Sequence, residues 1–265
     1  MKKILAFILK ILLFFLILFI LCALILYGVV KYTFSKEYTN QKIEEVVNKK
    51  RNEIMYTKLE YVDKKYLKAL IAAEDHRFYE HKGIDKIAVM RAINNNLRSK
   101  KIVEGGSTIT QQLLKNLFFS QEVSFNRKLK EFLLTQKFEK MYSKDEILEL
   151  YINTSYFGSG YYNILEASLG YFKKKPNNLT KTESIFLAGV PNAPSKYDPR
   201  VSIKKAHQRR NQVLAKMVEE NVITKEEAKD LSKEKIEVVD VKEGKKEIEI
   251  EKQKRLEKRK HEFTK

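Results

Sequence analysis

The chain is poor in the residues that build disulfide-held or β-rich proteins. One cysteine in 265 residues rules out a disulfide framework, and Cys22 lies inside an apolar run where it can join no thiolate metal cluster. Nine glycines and four prolines are too few for the frequent turns of an all-β sandwich or barrel. Histidine is scarce as well, with four in the chain. His76 and His81 have a ligand-like spacing, but no cysteine stands near to complete a site, so no protein-held metal is expected. Acidic side chains are outnumbered by basic ones, 34 against 52, for a formal net charge of +18. That excess points to an anionic partner: nucleic acid, anionic lipid or a phosphorylated substrate. With 43% hydrophobic and 32% charged residues, the chain is neither disordered nor a polytopic membrane protein.

What is present begins with an apolar run. Lys2, Lys3 and Lys10 precede residues 11–30, which carry no charge. At ~1.5 Å per residue that run spans the ~30 Å hydrocarbon core of a bilayer. A cleaved signal peptide would have a shorter apolar region ending in a small-x-small site. Leu21-Cys22-Ala23 also lacks the small residue that a lipoprotein site places before its cysteine. Residues 1–31 therefore read as a short tail and a retained single anchor. Lys31, Lys36 and Lys42 follow the span, so charge alone does not set its orientation.

Residues 32–59 read as a polar juxtamembrane segment, partly helical. From 60 to 231 the pattern is helix after helix. Ile87, Met90, Ile93 and Leu97 recur at helical spacing, as do Ile109, Leu113 and Leu117, and then Leu129, Phe132 and Leu133. Ser143 with Glu146, Thr180 with Glu183 and Thr224 with Glu227 have the form of capping boxes. Residues 156–163 and 191–199 read as loops, with Gly158-Ser159-Gly160 as a turn. The expected fold is mainly α. Beyond Leu231 the sequence alternates over 236–250 like a small hairpin around Gly244. Residues 232–265 are expected to form a charged, poorly packed tail, too short for a second catalytic domain.

Three stretches carry chemistry. The first, EDHRFYEHKG at 74–83, ends an apolar helical run that Asp63 opens as an N-cap. Glu74 directly follows Ile71-Ala72-Ala73, and a carboxylate in partly apolar surroundings suits proton transfer. The second, EGGSTITQQLLKN at 104–116, has two glycines before Ser107, the expected N-cap, then Thr108, Thr110, Gln111, Gln112 and Lys115. Free N–H groups, hydroxyls and amides at a helix start suit an oxyanion or a sugar. No Gly-Lys-Ser/Thr follows the glycines, so this is not a P-loop. The third, NRKLKE at 126–131, sets Arg127 four residues and Lys128 three residues before Glu131, on one helix face. Such a face can offer two cations to a diphosphate.

Taken in this order the stretches resemble the peptidoglycan glycosyltransferase family. The resemblance covers about residues 67–217 and extends to KDEILELYIN at 144–153 and LTKTESIFLAG at 179–189, followed by Pro191, Pro194 and Tyr197-Asp198-Pro199. It implies a lysozyme-like, mainly helical domain behind one transmembrane helix, at the outer face of the cytoplasmic membrane. It further implies polymerisation of lipid II, with the growing glycan strand as second substrate and undecaprenyl diphosphate as leaving group. By motif, Glu74 matches the catalytic base, Asp75 the acidic residue beside it, and Glu131 the second essential carboxylate. Lys115, Arg127 and Lys128 match residues that hold the diphosphate; Ser107, Thr110 and Gln112 match groups lining the donor side. A divalent cation, magnesium or manganese, at the diphosphate and other wall-synthesis proteins as partners are compatible with the family. Two departures stand out: Asn163 and Lys173 occupy places where the family usually has glycine. Asn tolerates left-handed backbone better than most residues, so the first is expected to be mild.

Rival readings fit less of the sequence. A lytic enzyme would use a buried glutamate but has no need of cations at a leaving group. A silent membrane scaffold would not need Glu74 or Glu131. A nucleic-acid binder accounts for the charge but not for the anchor or the carboxylates.

Overall fold

Helix starts in this chain are set by short polar caps, and the structure, a computed structural model, shows them for residues 2–101, 105–119 and 124–263. The apolar run lies within α1 (Lys2–Glu37), which continues unbroken past it, and Thr39 restarts the chain as α2 (Asn40–Arg51) by accepting the Lys42 N–H. Asp63 opens α3 (Lys64–Glu74) as expected, accepting the Lys65 N–H at 2.6 Å, and Asp85 caps α4 (Lys86–Ser99). There follow α5 (Ile109–Phe118), α6 (Phe125–Met141), α7 (Lys144–Thr154), α8 (Ile164–Phe172) and α9 (Lys181–Gly189). The chain closes with α10 (Pro194–Tyr197), α11 (Pro199–Glu219), α12 (Lys225–Lys233) and α13 (Val241–Phe263). Capping boxes are reciprocal at Ser143/Glu146 and Thr180/Glu183, whereas Thr224 caps α12 from its own side only. No strand occurs among the described residues, and the mainly α expectation holds.

Two groups of helices define the body. α3, α9 and α11 pack on one another, and α5 packs on α6 and α7. Tyr66, Leu70, Ile109, Leu113, Phe138 and Phe186 meet between them with no exposed surface. The segment before residue 60 is part of this core, since Ile43 and Val47 of α2 are also fully buried in it. Asn153 at the end of α7 fastens the same segment, accepting the Thr57 N–H at 2.9 Å and donating to the Thr57 carbonyl at 2.8 Å.

Two sequence expectations are corrected, and a third reading is borne out and extended. The spacing of Ile87, Met90, Ile93 and Leu97 does form a helix, yet these side chains point outward, 49–73% exposed, and only Ala92 of α4 is buried. Asn163 is not left-handed: its φ is −157° and its side chain caps α8 by accepting the Glu166 N–H. Lys173 is the left-handed residue, with φ +54°, ending α8 where a glycine would be unstrained.

The other correction is the tail. The expected hairpin is instead the helix α13, and it is docked. The alternation of Ile248 and Ile250 resembles a strand, but Gly244, Ile248, Glu251 and Arg255 lie at intervals of four, three and four, which is one helical face. Gly244 meets the backbone of Gly170 in α8 so closely that a Cβ would fall 2.1 Å from its carbonyl oxygen. Further along, Arg255 donates to the Tyr56 carbonyl at 2.8 Å and Arg259 to the Asn52 carbonyl at 2.9 Å. On an undocked helix Gly244→Ala would stabilise by ~1 kcal/mol. Here it should destabilise by roughly 1–3 kcal/mol, as overpacking does. A thermal unfolding midpoint in detergent that rises on this change would show α13 to be undocked.

Candidate active site

Glu74 ends α3 because Asp75 leaves helical geometry, with φ −162° and ψ 73°. The apolar residues before it are buried, and the Glu74 side chain is itself only 4% exposed. A carboxylate so buried needs partners. Gln112 of α5 donates from Nε2 to Oε2 at 3.1 Å, and Arg209 of α11 donates from Nη2 to Oε1 at 2.9 Å. Behind Gln112, the Tyr151 hydroxyl of α7 donates to its Oε1 at 3.0 Å. Burial, and next the charge of Glu74, push the Tyr151 phenol well above its ordinary value, so it remains a donor.

Asp75 stands beside the candidate base but is fully engaged. Its carboxylate accepts from His81 Nε2 at 2.9 Å and from the Ile109 N–H at 3.0 Å. The Gly83 N–H donates to His81 Nδ1 at 3.1 Å, which leaves the ring proton on Nε2 to donate to Asp75. The 75–83 turn is thereby tied to the start of α5. Gly83 has φ +86°, and a Cβ there would lie 2.6 Å from Thr135 Cγ2, so only glycine fits.

The start of α5 differs by one residue from expectation. The N-cap is Thr108, not Ser107: its hydroxyl accepts the Gln111 N–H, and Gln111 Oε1 accepts the Thr108 N–H at 3.2 Å. Thr-x-x-Gln was a capping-box signal already present in the sequence. Ser107 is left exposed at the cleft. Thr110 is fully buried and donates to Glu139 at 2.5 Å, away from the cleft. Glu104 lies outside the described residues.

Glu131, 2% exposed, lies in α6 with both expected cations on it. Arg127 Nη1 donates to it at 2.8 Å, and Lys128 is paired with its other oxygen. Arg127 Nε is buried and without a hydrogen-bond partner. The Lys115 side chain makes no hydrogen bond or ion pair among the described residues.

One cavity of about 1050 Å³ unites these groups. Glu74, Asp75, Ser107, Gln112, Lys115, Arg127, Lys128 and Glu131 line it; of the expected site residues Thr110 alone does not. Tyr151, Arg209 and Lys216 line it too, unforeseen as site residues. Arg209 is 135 residues from Glu74, and no spacing rule joins them. Among the described residues no three carboxylates, histidines or cysteines gather to hold a metal.

Fold and cavity define a helical protein with two buried carboxylates in one cleft, the second ringed by cations. Residues 39–218 match the transglycosylase family, and the chain belongs to it. It is 45% identical over 172 residues to penicillin-binding protein 1A of Aquifex aeolicus, covering 65% of this chain and 24% of that one. With penicillin-binding protein 1F of Bacillus subtilis it shares 45% over 167 residues, 63% of this chain and 23% of the other. With penicillin-binding protein 1A of Escherichia coli the figures are 43% over 169 residues, 64% and 20%. The chain thus spans about a quarter of the length of the curated relatives it matches. Among solved structures, penicillin-binding protein 1A from Haemophilus influenzae matches 49% of this chain and 16% of its own, with 34% identity and a TM-score of 0.34.

The cap assignment has a direct check. Thr108→Ala should cost about 1 kcal/mol or more, since it loses the cap and also the hydrogen bond that Thr108 donates to the Gly83 carbonyl at 2.6 Å. Ser107→Ala should leave the unfolding midpoint unchanged; the reverse order would return the cap to Ser107.

Proposed function

We propose that this chain is a membrane-anchored peptidoglycan glycosyltransferase that polymerises lipid II into β-1,4-linked glycan strands and releases undecaprenyl diphosphate. The observation that carries this reading is the division of charge in the cleft. Glu74 faces it held by one arginine, Arg209, and one amide, Gln112, while Glu131 is bound by two cations, Arg127 and Lys128, and stands in the same cavity as the open Lys115. Joining a sugar hydroxyl to a glycosyl diphosphate needs a base at the nucleophile and cations at the leaving group. Glu74 takes the proton of the acceptor 4-hydroxyl as that oxygen attacks C1 of the donor sugar. The α-linked diphosphate departs, and the new bond is β. Arg127, Lys128 and Lys115 carry the charge that develops on the diphosphate, and Glu131 holds the first two in place. A magnesium or manganese ion at the diphosphate would help neutralise its charge, but the nearby Glu74 and Glu131 are committed to Arg209, Arg127 and Lys128 and would not hold it.

The membrane supports the same reading. α1 is long and apolar enough to cross a bilayer, with its apolar window wholly exposed. The outward stripe of α4 and Phe125, 74% exposed, give the body further apolar surface suited to lipid. We place the catalytic body on the outer face, where lipid II and the growing strand lie, with other wall-synthesis proteins as partners. In a chain starting at residue 32, which keeps the buried Phe34 and Tyr38, Ile87→Ser with Met90→Ser and Leu97→Ser should abolish sedimentation with liposomes and leave the fold intact. Unchanged binding would make the α4 stripe ordinary surface.

The catalytic assignment is tested with purified protein and lipid II. A positioned base is worth roughly 10²–10⁴ in rate, so Glu74→Gln should lose about that factor in turnover while lipid II still binds. Glu131→Gln should lose turnover together with affinity, because its cations lose their counter-charge. A Glu74→Gln enzyme at normal turnover would end the assignment of the base.

A further inference from the structure

The ion pair between Glu74 and Arg209 has no part in the reaction as just described, yet it is elaborately built. Arg209 is 7% exposed, on α11. Its Nε donates to the Gly189 carbonyl at 2.9 Å, and its guanidinium lies 5.5 Å from the centre of the Tyr197 ring. Gly189 makes room for it: a Cβ there would come within 3.0 Å of Arg209 Cγ and of Val213 Cγ2. The end of α9, the short α10 and α11 together form a socket that aims one fork of the guanidinium at Glu74 Oε1.

We infer that Arg209 is the positioning residue of the catalytic base, an inference that rests on the glycosyltransferase reading above. The guanidinium is a planar, rigid fork, so anchoring Nε on Gly189 fixes where Nη2 points. Gln112, itself held by Tyr151, fixes the other carboxylate oxygen from the opposite side. Each carboxylate oxygen can accept two hydrogen bonds. With one taken on each by Arg209 and Gln112, the remaining lone pairs are held in fixed directions toward the cleft, where the acceptor hydroxyl must arrive. Arg209 acts through Glu74 and touches no reacting atom. A buried ion pair that merely joined α3 to α11 would not require this direction; a lysine would serve that end as well.

The test uses the full chain in detergent, measuring lipid II polymerisation and lipid II affinity for wild type, Glu74→Gln, Arg209→Lys and Arg209→Ala. Misplacing a reacting group by about 1 Å can cost 10²-fold, so Arg209→Ala should lose about that much turnover at unchanged lipid II affinity. Guanidinium ion added at millimolar concentration should restore part of it by filling the emptied socket. Arg209→Lys keeps the charge but not the fork and should fall between the two. It also decides the matter alone if Arg209→Ala does not fold. Full turnover in Arg209→Lys, or losses matched by lost affinity and untouched by guanidinium, would overturn the inference. A wild-type chain that makes no polymer would instead end the glycosyltransferase reading and this inference with it, an outcome separable from the first because wild type and Glu74→Gln are read in the same experiment.

Discussion

A carboxylate taken out of water must be answered by donors, or it does not stay charged. At the end of α3 that requirement organises most of the body. Glu74 draws Gln112 from α5 and Arg209 from α11, and Tyr151 from α7 stands behind Gln112. The same helix end presents unsatisfied carbonyls, and Lys216 of α11 donates to that of Ala73 at 2.7 Å. Four helices distant in sequence are thus brought to one point by the satisfaction of one residue and its neighbour. α9 ends in Gly189 beside the Arg209 stem, where a Cβ would press to 3.0 Å from Arg209 Cγ.

The second carboxylate is satisfied by a different kind of construction, and the difference explains what the sequence revealed. Glu131 finds Arg127 and Lys128 within one turn of its own helix, so the spacing alone announced the cluster. Glu74 could be singled out by its apolar approach, but its partners lie 38 and 135 residues away and obey no local period. Capping followed the same division. Asp63, Ser143 and Thr180 acted where side-chain chemistry placed them. Ser107 lost its place to Thr108 because only Thr108 has a glutamine three residues on to complete the box. For α4 the helical period was legible but not which way the apolar stripe would face, since no neighbour in the chain encodes that.

The tail shows how a period-two pattern can mislead. Glutamates alternate with Ile248 and Ile250, but what fixes the segment is one glycine that lets two helix backbones meet and two arginines that donate to carbonyls 199 and 207 residues earlier. Those carbonyls belong to the stretch between α2 and α3, so α13 ties the segment after the anchor to the face of α8. A strand in this place would supply neither the close backbone approach nor the row of arginines along one side.

This docking also gives the departures from the family pattern a location. Asn163 caps the start of α8 and Lys173 ends it, and neither lines the cleft. A left-handed lysine costs about 1–2 kcal/mol in backbone strain. Its contact with Glu243 of α13, at 3.5 Å with both side chains about half exposed, returns little of that. What holds the site is backbone: the Lys173 N–H closes on the Leu169 carbonyl, and two residues on Lys175 pairs with Glu251 of α13 at 3.4 Å. Arg200 completes the join, donating to the Gly170 carbonyl at 2.8 Å and to that of Val239 at 3.0 Å. Both positions at which the family pattern led us to expect glycine thus lie where α8 receives α13, away from the cleft that Glu74 and Glu131 line.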